Sequence, residues 1–316
     1  MRCIPGDPGE EGAVQNQTNS MGATEWALLV VLSVLWGGSF FFSKIALQEL
    51  PTLTVVFLRV GVAACALAIY MIATGLSFPT SATVWLALAG MGLLNNLIPF
   101  CLLVWGQTSI ASGLASILNA TTPVFSLVIA HVTTADEKMT PNKWAGVAFG
   151  IAGVAVLIGQ DAWSGMAQSL LGMIACLGAA LSYGIAGVFG RRFRAMGIAP
   201  TIGAFGQVAA TTCLMLPLVV AIDEPWTLPA PSVTVSVSIL GLGLLSTAVA
   251  YVLYFRILAV GGATNASLVT LLIPVSAIML GSLVLGENLA PSQIFGMALI
   301  GVGLLAIDGG IFKRHT

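Results

Sequence analysis

From residue 25 onward the chain alternates long apolar runs with brief interruptions of Pro, Gly and charged residues. A membrane-crossing helix needs about 20 mostly apolar residues, because its backbone groups must be satisfied within the segment over roughly 30 Å of hydrocarbon. Cutting the runs at that length predicts ten spans, near 25–45, 52–73, 82–104, 110–131, 143–160, 168–189, 201–221, 233–256, 263–285 and 291–309. The connections are short, so successive spans should pack antiparallel. The opening stretch MRCIPGDPGEEGAVQNQTNS lacks an apolar core, so it fails as a signal peptide; residues 1–24 are expected to form a disordered tail, with a second short tail at 310–316.

The polar positions repeat. GLASILNATTPV begins at Gly113 and NASLVTLLIPV at Asn265, and each is followed by the pattern E-x3-P-x4-G, in EKMTPNKWAG from Glu137 and in ENLAPSQIFG from Glu287. Pro141 then matches Pro291, and Gly146 matches Gly296. Both blocks fall in the fourth and fifth spans of their own half, which predicts a five-helix unit used twice, over 25–160 and 168–309. An odd number of spans per unit forces the second copy to enter the membrane from the opposite side. The expected fold is therefore an all-α polytopic membrane protein of ten transmembrane helices in two inverted five-helix repeats, with a solute site near the midplane.

Composition agrees: 58% of the 316 residues are hydrophobic and 7% charged, with a mean hydropathy of +1.01, which excludes a water-soluble globular domain. Eleven Lys and Arg against 12 Asp and Glu leave no basic excess for nucleic acid. The five cysteines show neither CxxC spacing nor disulfide density. With a cytoplasmic amino terminus, the inside segments collect Arg2, Lys138, Lys143, Arg191, Arg192, Arg194, Arg256, Lys313 and Arg314, and the outside ones little beyond Lys44. That bias places both termini in the cytoplasm.

The stretch SVLWGGSFFFSKIALQELPTLTVVFLR, from Ser33 to Arg59, continues through ILNATTPVFSLVIA and EKMTPNKWAGVAFGIAGVAVLI. It is echoed in ASLVTLLIPVSAIMLGSLVLGENLAPSQIFGMALIGVGLLAI. On these motifs the chain resembles the EamA-type permeases of the drug/metabolite transporter superfamily, over about residues 25–309. The resemblance implies two EamA domains, a bacterial or archaeal inner membrane, and export of small metabolites, often amino acids or their derivatives, or else drug efflux. The second half departs from the first: Tyr183-Gly184 stands where the first half has Trp36-Gly37, and nothing basic matches Arg59.

Polar residues inside spans are costly and so point to sites. Arg59 lies eight residues beyond Pro51, about 12 Å into its span, where it faces either a cavity, holding a carboxylate or other anion, or snorkels outward. Asn95 and Asn96, just ahead of Pro99, offer donors and acceptors to a solute or to neighbouring helices. Asn119 and Asn265 flank the repeated phrase; Tyr183 and Tyr251 need partners for buried hydroxyls; Gln207 is a further candidate for the cavity wall. Trp36, Pro99, Pro123 and Pro274 are candidates for kinks or gates.

No Walker motif, H-E-x-x-H, clustered metal ligands or G-x-S-x-G elbow occurs, so neither an enzyme nor a cofactor is expected. The expected partners are a small solute and the bilayer. Two energy sources stay open: proton coupling through His131, Glu287 or Asp308, and facilitated diffusion. A channel and a structural membrane protein are the rival classes, the first disfavoured by isolated rather than repeated polar positions and the second by the cost of burying Arg59, Asn95 and Asn96.

Overall fold

A computed structural model describes residues 23–134, 139–164, 167–267 and 269–308, leaving aside the side chains of 159–164, 259–267 and 308. The described residues form helices joined by short turns. They are α1 (Ala23–Ala46), α2 (Thr52–Ala73), α3 (Ala82–Gly92) continued through a π-helical turn (Leu93–Leu97) into α4 (Ile98–Gly106), α5 (Ser112–Asn119), α6 (Thr122–Thr133) and α7 (Pro141–Ser164). Then follow α8 (Ala167–Ala195), α9 (Pro200–Ile222), α10 (Val233–Leu240) continued through a second π-helical stretch (Gly241–Val249) into α11 (Ala250–Ser267), α12 (Val269–Leu285) and α13 (Pro291–Asp308). Proline opens α7, α9 and α13, where its missing N–H costs nothing.

The protein is an all-α polytopic membrane protein. Eight helical stretches among the described residues are long and apolar enough to cross a membrane, the last of them Val233–Leu258; Val269–Leu285 and Pro291–Ile307 are shorter apolar helices. The expectation of ten full-length spans is thus met in eight. The other two, at 17 residues each among the described residues, fall just short of a full crossing length. The expected fourth span is two helices, interrupted at Ala120 and Thr121.

Lipid is as apolar as leucine, so the helices associate where small residues let backbones meet. The most extensive pairing is α7 with α13, followed by α1 with α12, α2 with α9, α4 with α8, α6 with α8 and α3 with α9. At the α7–α13 crossing a Cβ on Gly146 would lie 2.5 Å from the Gly303 carbonyl oxygen, and one on Gly153 would lie 2.7 Å from that of Gly296. Both contacts require glycine. Around these crossings sit three apolar clusters, one holding Leu29, Leu118 and Ile273, a second Val56, Phe100 and Leu242, and a third Leu67, Met71 and Phe205. Outward faces stay apolar too, as with Ile72, Leu86 and Leu283.

Charges collect at the end of the bundle that carries the α1–α2 turn. Glu49 Oε2 accepts the Ser232 N–H at 2.7 Å at the start of α10, and that bond holds the Glu49 carboxyl below its usual range. Asp223 Oδ2 accepts the N–H and the hydroxyl of Thr54, each at 2.8 Å, in the first turn of α2. Gly286, at φ 67°, turns the chain after α12; Glu287 then accepts the Ser112 N–H at 2.9 Å, the Ser112 hydroxyl at 2.6 Å and the Gly113 N–H at 3.3 Å. Each carboxylate meets unpaired amides at a helix start, where it is favoured. Each also joins the first half of the chain to the second. Lys44 completes this end by donating to the Gln107 and Ile110 carbonyl oxygens at 2.6 and 3.0 Å.

Candidate functional site

The site begins with Pro99. A π-helical turn bonds each N–H to the carbonyl five residues back, so residue 99 would serve Leu94, and proline has no N–H to give. The Ser182 hydroxyl of α8 donates to the Leu94 oxygen instead, at 2.7 Å. The widened turn brings Asn95 and Asn96 toward the same partners. Asn95 Nδ2 donates to Gln207 Oε1 at 2.8 Å. Asn96 Nδ2 donates to Gln207 Oε1 and to Thr211 Oγ1, both at 3.4 Å. Gln207 and Thr211 stand one turn apart on one face of α9. The Tyr251 hydroxyl closes the cluster by donating to Asn96 Oδ1 at 2.7 Å. Asn96 is fully buried, and Gln207 and Tyr251 nearly so.

The second π-helical stretch places the cation. The Thr247 hydroxyl donates to the Leu242 oxygen at 2.9 Å, again five residues back, and accepts the Arg59 Nε–H at 2.9 Å. Arg59 is 6% exposed, and its guanidinium carbon sits 3.6 Å from the centre of the Phe100 ring. Tyr183 packs on the apolar cluster that holds Phe100, and Tyr251 is the phenol of the amide cluster. Among the described residues no carboxylate pairs with Arg59. Beside it Trp36 meets Tyr254 at 5.3 Å between ring centres, Tyr254 meets Phe255 at 5.4 Å, and Phe255 meets Tyr251 at 6.4 Å. The aromatic row and the cluster of neutral amides thus meet at Tyr251, which belongs to both.

The structure therefore brings Arg59, Asn95, Asn96, Gln207, Tyr183 and Tyr251 together, with Trp36 on the aromatic side. Asn119 ends α5 with its Oδ1 buried and without a partner among the described residues, and no hydrogen bond joins it to the cluster. The side chain of Asn265 lies outside the described residues. Pro123 opens α6 rather than bending a continuous helix, whereas Pro274 sits buried inside α12. Thr211, Thr247, Ser182 and Phe100 were not singled out by the sequence. The spacing Gln207/Thr211 and Thr247/Tyr251, four residues each, is the signal that marks two of them. An apolar groove along α2, lined by Phe57, Leu58, Gly61, Val62 and Leu244, suits hydrocarbon and holds none of these groups.

The Asn96–Tyr251 bond should carry measurable energy. In a double-mutant cycle of Asn96→Leu and Tyr251→Phe, followed by unfolding in mixed micelles, a coupling of about 1 kcal/mol is expected. A value near zero would mean that the phenol and the amide do not depend on each other.

Fold and site define a multi-pass helical membrane protein that encloses a polar, cationic site between its helices. Among the described residues no three His, Cys, Asp or Glu side chains come together to hold a metal. The model of the EamA-like transporter family matches residues 24–159 and again residues 170–307, and the chain belongs to that family. It is a transporter rather than an enzyme. An uncharacterized transporter, YoaV, of Bacillus subtilis is 28% identical over 279 residues, covering 87% of this chain and 94% of that protein. A probable amino-acid metabolite efflux pump of Escherichia coli is 28% identical over 286 residues, covering 88% and 92%. One solved protein structure aligns with a TM-score of 0.64 at 17% identity, covering 93% of this chain and 100% of that one, which speaks to the fold.

Proposed function

We propose that the protein is a secondary transporter of the bacterial or archaeal inner membrane that exports small metabolites, amino acids or related amphipathic solutes, by alternating access. Two inverted five-helix repeats, 25–160 and 168–309, rock about the Arg59 site, and both termini are cytoplasmic. The observation that carries this reading is the symmetry of the packing. Let α1, α2, α3–α4, α5–α6 and α7 correspond to α8, α9, α10–α11, α12 and α13. The contact of α1 with α12 then maps onto that of α8 with α6, and α4 with α8 maps onto α11 with α1. The pairs α2–α9 and α7–α13 map onto themselves. Single residues follow suit: Gly37 packs on Ser276 and Gly184 on Ser126. The glycine contacts 146–303 and 153–296 exchange under a shift of 150 positions.

Such halves meet at a midplane site in carriers of this kind, and the two π-helical stretches that build the site occupy corresponding helices. The name of the Escherichia coli relative supports amino-acid-like cargo. A proton-coupled drug antiporter is the alternative; the lack of any described carboxylate beside Arg59 speaks against it. Purified protein in liposomes is expected to show saturable counterflow with one class from a panel of labelled amino acids, acylated amino acids, nucleosides, sugars and cationic drugs. Flux that never saturates would favour a channel. No flux from folded protein would remove the transporter mechanism proposed here.

A further inference from the structure

Resting on that reading, we infer that the solute crosses as a net monoanion, a carboxylate without a free ammonium group, and that the membrane potential drives its export. The argument is an inventory of charge. Arg59 is buried with two neutral partners, the Thr247 hydroxyl and the Phe100 ring. Its Nε–H is taken by Thr247, while the paired Nη edge has no acceptor among the described residues. That edge is the one that grips a planar carboxylate through two parallel bonds. A cation held in this way in a membrane interior calls for an anion.

Among the described residues the remainder of the site offers no carboxylate for an ammonium. Asn95, Asn96, Gln207 and Thr211 are neutral and already bond one another. The described carboxylates Glu49, Asp223 and Glu287 are bound to helix starts at one end of the bundle. Glu25 stands on the first turn of α1, and Glu224 follows α9 in a turn at φ 44°. A zwitterion would therefore bring a positive group next to Arg59 with no counter-charge. An acylated amino acid, a keto acid or a hydroxy acid brings a carboxylate for Arg59, a neutral polar group for the amides, and an apolar body for the Trp36–Tyr254–Phe255 wall.

The energetics follow from the same count. A solute of net charge minus one leaves an inside-negative cell down the potential, and each 100 mV supports about a fifty-fold concentration ratio at equilibrium. No titrating relay within the spans is then required. This accounts for a site in which no described carboxylate faces the cation.

The test uses the full chain in proteoliposomes with potentials set by valinomycin and potassium gradients. The probes are labelled N-acetylphenylalanine and N-acetylleucine, each against its free amino acid. The expected result is saturable counterflow of the acetylated monoanions at a rate at least tenfold above the zwitterions. Their steady-state ratio should shift about fifty-fold per 100 mV toward the positive side and ignore an imposed pH gradient. Arg59→Lys should keep the preference for the monoanion with weaker apparent affinity, and Arg59→Gln should lose it. Saturable counterflow of free phenylalanine or leucine that ignores the potential would overturn the inference and leave the transporter standing. No saturable flux of any probe from folded protein would overturn the inference and weaken the reading beneath it.

Discussion

Exchanging Arg59 for methionine is expected to leave a protein that is harder to unfold and nearly unable to transport. The two effects come from one cause. A guanidinium at mid-span costs roughly 2.5–3.5 kcal/mol to place in a membrane on insertion scales, and here no described carboxylate offsets that cost. The Phe100 ring and the Thr247 hydroxyl are its partners, and Thr247 keeps its own bond to Leu242 when Arg59 is gone. Methionine fills similar length with a flexible apolar chain and strands no buried donor. Replacing a buried charge by apolar groups of like size is often stabilising, and a gain of about 2 kcal/mol is expected. Removing the one charged contact to a solute should lower flux about a hundred-fold, since truncating a buried charged partner costs about 2–5 kcal/mol of binding. Unfolding in detergent and counterflow at matched protein density measure both. A variant that is less stable and inactive would mean that Arg59 holds the bundle together instead.

The second large effect is expected at the α7–α13 crossing. Gly153→Leu should destabilise the protein by about 3 kcal/mol, because its Cβ would land 2.7 Å from the Gly296 carbonyl oxygen. The neighbour is backbone and cannot turn aside. Gly301→Leu, on α13 itself, is the matched comparison: a Cβ there meets nothing within 4 Å, and stability should change by less than about 0.5 kcal/mol. Thermal unfolding of the two variants in the same detergent separates a local steric contact from a general intolerance of bulk in this helix. Equal losses would deny the crossing its role.

Much of the site was legible because hydrocarbon makes polar side chains conspicuous. Arg59, Asn95, Asn96, Gln207, Tyr183 and Tyr251 stood out as expensive residues in apolar runs, and they do converge. The hydroxyls of Thr211 and Thr247 did not stand out, because a threonine can bond its own helix backbone and so is cheap in any span, as both residues do here. Phe100 looked lipid-compatible, and only its position over the guanidinium gives it a role. Asn119 illustrates the converse, a conspicuous amide whose Oδ1 finds no partner among the described residues. Span lengths were legible where Pro or charge closed an apolar run. The π-helical turns left no trace in the apolar pattern, since these spans are apolar around most of their circumference and show no phase that a surplus residue could shift.

That surplus residue also sets the phase of the helix beyond it. A π turn carries one residue more than the α-helical turn it replaces, and Leu93–Leu97 is such a turn. Losing a single codon there would restore regular winding and turn everything beyond it by about 100°. The neighbouring amides Asn95 and Asn96, which now meet at Gln207, would part. The amide cluster thus depends on the winding of its helix as well as on the identity of its side chains, so a one-residue deletion at this turn would undo it without touching either asparagine.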